Sequence, residues 1–281
     1  VESALNPVAL SRVGACGLWQ FMLPTGKSYG LEINSLLDER RDPVKATDAA
    51  CRYFKDMYAI YGDWNLVIAA YNCGPGTINK AIRRANGETD YWKIYNYLPK
   101  ETRGYVPAFI AANYVMTYYC DHNICPMETN IPASTDTVQV NKNLHFEQIA
   151  DLCNVPLDQI KSLNPQYKKQ MIPGDSKPYT LRLPIDAIST FIDKQDTIYT
   201  HRADELFRNR KTVAVKDITP ATRKTTSAVA GKGNLTYYTI KSGDTLSTIA
   251  RKYGVTIKDI QRWNGMSSTK IAAGKRLKIY K

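Results

Sequence analysis

The sequence predicts a multidomain protein: an all-α domain followed by two small α+β modules of βααβ order. Three observations carry that prediction. Apolar residues recur at helical spacing over roughly the first 120 positions, the texture changes to short β-like runs beyond Pro132, and the second texture appears twice. At 281 residues, 43% of them hydrophobic, the chain has material for more than one buried core.

The helical part begins with a clear start signal. Asp42 can cap, Pro43 suits a first helical turn, and Cys51, Phe54, Tyr58 and Tyr61 share one face, so a helix is expected over 42–61. The next, 64–72 (WNLVIAAYN), is apolar on all sides and belongs at the centre of a domain, ending at Gly74-Pro75-Gly76. Shorter helices follow over 77–85 and 91–98, then a long one from about 100 to about 120.

Beyond Pro132 the runs TVQV, FEQIADLC, LDQIKSLN and YTLRLP read strand, helix, helix, strand. The order recurs as LTYYTIKSG, TLSTIARKYG, TIKDIQRWNG and KRLKIYK. Residues 185–210 carry spaced apolar side chains that suit either a helix or packing back onto the first module. Residues 211–234 are rich in Thr, Ala, Lys and Gly, hold no aromatic residue, and read as a flexible linker.

Charge separates the chain in the same way. Residues 1–200 hold 20 basic and 21 acidic side chains, residues 201–281 hold 18 and 5, so the net +12 belongs to the C-terminal part. Such a tail attracts polyanions in general, carboxylate-rich wall polymer among them. It is not organised as a helix-turn-helix, RNP-like strand or zinc finger, so no nucleic-acid partner is expected.

Six cysteines form no CxxC pair and three histidines are scattered, so no metal is expected. Cys120 and Cys125 are near enough in sequence for a disulfide, with free, buried thiols the alternative. The richest apolar stretch, 105–119, is broken by Pro107 and Asn113, so no transmembrane segment is expected. Lacking an initiator Met and a signal peptide, and opening at Val1 inside a motif, the chain reads as a piece of a longer precursor whose parent is expected to be the active form.

That opening, VESALNPVALSRVGACGLWQFM, places a Glu among apolar residues before an Asn-Pro break and a Gly-punctuated turn. Two further motifs follow in order, AAYNCGPG at 69–76 and PKETRGYV at 99–106. Together the three motifs resemble the family 1 (SLT-type) lytic transglycosylases. The resemblance implies a lysozyme-like helical domain over 1–125 that cleaves the MurNAc-GlcNAc bond of peptidoglycan and leaves 1,6-anhydroMurNAc ends. It also implies an envelope location, periplasmic or outer-membrane-associated, with peptidoglycan glycan strands as the partner and no cofactor.

Carried over motif by motif, Glu2 is the single catalytic acid/base. Val1, Ala4 and Leu5 around it would desolvate the carboxylate and hold a proton on it at neutral pH. Ser11 and Gln20 would hydrogen-bond sugar or catalytic groups, Tyr71 and Asn72 would line the cleft, and Glu101 and Tyr105 belong to the third motif. Each has a structural alternative: Glu101 as a charge at a helix N-terminus, Tyr71 as core. No second carboxylate stands beside Glu2, as a conventional glycosidase would need.

The C-terminal segment 235–281, with its GDTL run, resembles a LysM domain. The resemblance implies glycan binding by Gly243, Asp244 and Thr245 with Ile271 and Gly274, although Asp244 and Thr245 also suit a helix cap. The earlier repeat, 136–184, has Asn143-Leu144 in place of GDTL and reads as a degenerate LysM-like module, followed by a connecting segment and linker over 185–234. Two rival functions remain: a goose-type lysozyme-like hydrolase and a catalytically inactive wall-binding scaffold.

Overall fold

The computed structural model describes residues 1–127, 129, 131–208, 235–241, 243–266, 268–269 and 271–280. The linker expected over 211–234 lies outside them. The described residues form two compact units, one within 1–208 and one within 235–280.

The first unit opens with a looped segment and the short helix α1 (Leu23–Ser28). Helix α2 (Pro43–Tyr61) starts as the sequence predicts: Asp42 accepts from the Val44 and Lys45 amides, and Gly62, at φ 62°, ends it. Helix α3 (Trp64–Cys73), capped by Asp63, buries Leu66, Val67, Ala69 and Ala70 completely. Its break at Gly74, φ 82° and ψ 149°, uses backbone that only glycine adopts freely, and Pro75 opens α4 (Pro75–Arg84). The run expected over 91–98 is a four-residue helix α5 (Tyr91–Ile94) that tightens into a 3-10 turn (Tyr95–Tyr97).

Helix α6 (Lys100–Thr117) runs straight through Pro107. A proline there leaves the carbonyl of Arg103 without its intrahelical donor. The Tyr91 hydroxyl donates to that carbonyl at 3.1 Å, and α6 continues.

The module that follows pairs strand β1 (Thr135–Val140) with β4 (Tyr179–Pro184) in antiparallel register around helices α7 (Phe146–Cys153) and α8 (Leu157–Leu163). It also contains a short pair absent from the βααβ expectation, β2 (Asn143–His145) with β3 (Met171–Pro173). The pair falls where this module has Asn143-Leu144 in place of GDTL: Leu144 is buried, and His145 supplies the α7 cap that Thr245 supplies to the equivalent helix of the second repeat. The segment left open at 185–210 does both things its pattern allows. It forms α9 (Ile185–Asp193), α10 (Gln195–Thr200) and α11 (Ala203–Leu206), and Ala187, Phe191, Ile198 and Tyr199 join the module's core.

The second unit has strands β5 (Leu235–Thr239) and β6 (Arg276–Tyr280) around α12 (Leu246–Tyr253) and α13 (Ile257–Trp263). The repeat relation extends to single hydrogen bonds. In the first module Asn164 donates to the Ile160 and Arg182 carbonyls and accepts from the Arg182 amide. Asn264 does the same with Ile260 and Lys278. One asparagine thus fastens the second helix to the last strand in each copy. Asn164→Ala strips three bonds from a fully buried position and is expected to destabilise unit one by about 1–3 kcal/mol, read as a shifted urea midpoint at unchanged slope.

Candidate active site

Three distant stretches of chain meet around Glu2. The opening loop, α3 and α6 enclose, with α2, a cavity of about 410 Å³ whose lining includes Glu2, Leu18, Trp19, Ile68, Tyr71, Tyr105 and Phe109. Tyr105, one turn into α6, donates its hydroxyl to Glu2 Oε1. Tyr71, near the end of α3, donates its hydroxyl to the Trp19 carbonyl at 2.5 Å. Trp19 is held a second time, by its indole N–H on Thr47 Oγ1 at 2.8 Å, and Ser3 Oγ donates to the Leu18 carbonyl at 2.9 Å.

Burial raises the Glu2 pKa above its ordinary value. The Tyr105 hydroxyl opposes the rise, and the negative charge of Glu101 adds to it. The source of that burial differs from the sequence expectation. Val1 and Leu5 line the cavity but are 64% and 81% exposed, and Ala4 takes no part in it. The rest of the lining includes Ile68 and Tyr71 on α3 and Tyr105 and Phe109 on α6. Burial pushes the Tyr71 and Tyr105 hydroxyls up as well, with the Glu2 carboxylate contributing to both, so they stay protonated donors.

The other candidates are distributed unevenly. Ser11 Oγ accepts from the Ala15 amide at 2.9 Å, and Gln20, at φ 47°, donates its carboxamide to the Gly17 and Ala9 carbonyls. Both therefore brace the loop over 9–20 and do not line the cavity. Asn72 also lies outside the lining, its carboxamide oxygen accepting from Thr102 and tying α3 to α6. Glu101 sits exposed in the first turn of α6, where the helix dipole favours its charge. Sequence reasoning missed Thr47, Phe54, Ile68 and Phe109. Helical spacing could have found two of them, since Ile68 lies one turn before Tyr71 and Phe109 one turn after Tyr105.

Gly17 explains why the loop can close at all. Its φ is 87°, and a Cβ built there would lie 1.7 Å from the Arg40 carbonyl oxygen. Arg40 is buried, paired through Nε and Nη2 with Asp38, and its Nη1 donates to the Gly14 and Phe21 carbonyls at 2.9 and 3.0 Å.

In the second unit, Thr245 caps α12, but Asp244 does not share that task. Its carboxylate accepts from the Lys241 amide and the Tyr238 hydroxyl, both at 2.8 Å, and closes the turn before the helix. The Gly274 amide bonds to the Ile240 carbonyl at 2.8 Å, which sets the loop holding Ile271 and Gly274 beside the turn holding Gly243. Ile271 lines a second cavity, again about 410 Å³, with Met266 and Ala272, and Gly243, Asp244 and Thr245 are not part of its lining.

Among the described residues no group of three His, Cys, Asp or Glu could hold a metal ion. All six cysteines are free: Cys16 and Cys153 are buried, Cys73 is half-buried, and Cys51, Cys120 and Cys125 are exposed. The disulfide that the spacing of Cys120 and Cys125 permits is therefore not formed.

Residues 1–94 match the transglycosylase SLT domain family. The chain carries an SLT domain. Behind it, residues 134–200 match the LysM-like domain of lytic transglycosylase MltD, and residues 238–279 match the LysM domain. Membrane-bound lytic murein transglycosylase D of Escherichia coli (strain K12) is 32% identical over 99% of this chain, and the chain spans 58% of that relative's length. Soluble lytic murein transglycosylase of the same strain is 32% identical over 42% of the chain and 19% of its own length. An autolysin of Enterococcus faecalis is 51% identical over 17% of the chain and 7% of its own length. The cavity around Glu2 lies within the SLT domain except for its α6 residues, Tyr105 and Phe109, which follow the matched range.

The Tyr105 contact makes a prediction with a definite sign. Its hydroxyl stabilises the Glu2 carboxylate, so Tyr105→Phe raises the Glu2 pKa further. A group acting as an acid works below its pKa and fails as pH rises through it. The alkaline limb of a kcat/KM profile is therefore expected to move to higher pH in Tyr105→Phe, by about one unit or less.

Proposed function

We propose that this chain is a murein lytic transglycosylase that cleaves the MurNAc-GlcNAc β-1,4 bond with Glu2 as its single acid/base. The observation that supports it most is a carboxyl group with a raised pKa, held by Tyr105 in a largely apolar cavity whose described lining offers no second carboxylate. A conventional glycosidase needs two carboxylates, one for the leaving group and one for the nucleophile or for water. Here a nucleophile within the substrate removes that need.

Protonated Glu2 gives its proton to the glycosidic oxygen, and the C1–O bond breaks with the GlcNAc leaving as an alcohol. The substrate's own N-acetyl group assists the cationic centre. Carboxylate Glu2 then takes the proton of the MurNAc 6-hydroxyl, whose oxygen bonds to C1 and closes the 1,6-anhydro ring. Proton and oxygen balance, no water is consumed, and the intramolecular attack gains from proximity. Ser11, Gln20 and Asn72 serve this site by holding its walls, while Tyr71 and Glu101 act near the carboxyl and its substrate. No cofactor enters.

The LysM domain, through the loops of Gly243 to Thr245 and Ile271 to Gly274, would hold the enzyme on the glycan and raise the effective concentration of strand at the cleft. The location proposed is the bacterial envelope, periplasmic or outer-membrane-associated. Among the described residues no helix is long and apolar enough to cross a membrane.

Mass spectrometry of products from purified peptidoglycan tests the proposal. Anhydromuropeptides, lighter by one water than reducing muropeptides, are the expected result. Reducing ends would make the chain a goose-type hydrolase, and no soluble product would make it a wall-binding scaffold.

A further inference from the structure

The first LysM-like module and the SLT domain share one segment, residues 32–41. Leu37 of that segment is part of the module's own apolar core, and it bridges to Tyr167 in antiparallel fashion. The Asp38 amide donates to the Gln166 carbonyl at 2.9 Å, and the Lys168 amide donates to the Leu36 carbonyl at 2.9 Å. Lys168 Nζ donates to the Asn34 carbonyl, and the Tyr179 hydroxyl donates to Glu32 Oε1 at 2.9 Å. Burial works against the Glu32 carboxylate, but the Lys177, Tyr179 and Asn34 bonds outweigh it and lower its pKa, so Glu32 is a charged anchor for the module.

The opposite side of the same segment grips the cleft. Arg40, fixed by the buried Asp38 carboxylate, holds Gly14 and Phe21 by their carbonyls, and between those two lie Leu18 and Trp19, which line the Glu2 cavity. The Leu18 carbonyl in turn accepts from Ser3, the neighbour of Glu2. Hydrogen bonds, joined through the loop between Gly14 and Phe21, thus lead from the module to the residue beside the acid.

We propose that the 134–200 module is a positioning element for the cleft: it clamps residues 32–41, so that Arg40 sets the loop carrying Leu18 and Trp19 against Glu2. Such a role accounts for a LysM-like module whose GDTL run is replaced by a short strand with Leu144 buried. A loop misplaced by an ångström at a reacting centre costs turnover more than affinity. The proposal rests on the transglycosylase reading of the Glu2 cavity.

The test uses the full chain carrying Lys168→Met and Tyr179→Phe, which loosen the clamp outside the cavity. Turnover on soluble glycan strands is expected to fall about 10-fold with KM within about twofold. Amide exchange at Cys16 and Gly17, whose N–H groups bond to the Phe21 and Ala9 carbonyls, is expected to quicken about 10-fold. Lys168→Arg, which keeps the donor, restores both. A raised KM with unchanged kcat would make the module a sugar binder and overturn the proposal, as would unchanged exchange at Cys16 and Gly17. Should the unmodified chain release no anhydro product, the functional reading fails, while the exchange rates still decide whether the module holds the loop.

Discussion

Glu2→Gln is expected to abolish release of anhydromuropeptides, with turnover falling about 10²–10⁴-fold, the range that general acid–base catalysis supplies. Glutamine keeps the shape and still accepts from Tyr105, so binding of glycan strands should persist. The variant separates chemistry from anchoring: unchanged pelleting with insoluble peptidoglycan alongside lost products places the defect at the carboxyl. Retained turnover would remove Glu2 from the mechanism.

The same variant reports on stability with the opposite sign. Glu2 binds its proton more tightly in the folded chain than in the unfolded one, because burial disfavours the carboxylate. The native state therefore loses stability as pH rises from the ordinary carboxyl value of 4.5 through the raised one. Glutamine does not titrate and escapes that loss. At pH 7 Glu2→Gln is expected to melt higher by the equivalent of about 0.5 kcal/mol, a modest figure because Glu2 is only partly buried and its charge is screened. Below the ordinary carboxyl value the advantage disappears. Thermal melts at pH 7 and at pH 3.5 measure both.

How much of this was legible in the sequence depends on the range of the interactions involved. Helix α2 is readable because its signals are local: Asp42 and Pro43 mark its start, and Cys51, Phe54, Tyr58 and Tyr61 its apolar face, within the segment itself. The repeat was readable for the same reason. Asn164 and Asn264 recur at equivalent positions, although the strand each one binds lies beyond any local pattern. Glu2 stands out by its motif, and of the apolar neighbours that the sequence offers Val1 and Leu5 do line its cavity, but the α3 and α6 residues that share the lining, Ile68, Tyr71, Tyr105 and Phe109, come from distant segments. Ser11 and Gln20 turn inward on their own loop, Ser11 onto the Ala15 amide and Gln20, with left-handed backbone, onto the Gly17 and Ala9 carbonyls, contacts that no spacing reveals. The joint between the SLT domain and the first module was not legible at all. It depends on backbone carbonyls, and on Leu37 entering a core built some 100 residues later, a register that only folding brings together.

Gly17→Ala is expected to be the most damaging substitution outside the acid itself. The argument is steric and double. At φ 87° an L-residue is strained wherever it sits, and here the added methyl would fall 1.7 Å from the Arg40 carbonyl oxygen, an atom of the backbone that cannot rotate away. Arg40 cannot retreat either, because Asp38 and two loop carbonyls hold its guanidinium in the interior. The loop must therefore lift, breaking the Gly17 amide's bond to Ala9 and carrying Leu18 and Trp19 away from the cavity. A cost of about 2–3 kcal/mol is expected, in the upper range for overpacked sites, together with at least about a 10²-fold loss of turnover. Gly14 supplies the comparison. It has a similar φ of 91° but open space where a Cβ would go, so Gly14→Ala should show the backbone strain alone, about 1 kcal/mol, and keep most of the activity. Equal losses in the two variants would mean that the approach to Arg40 does not control the loop.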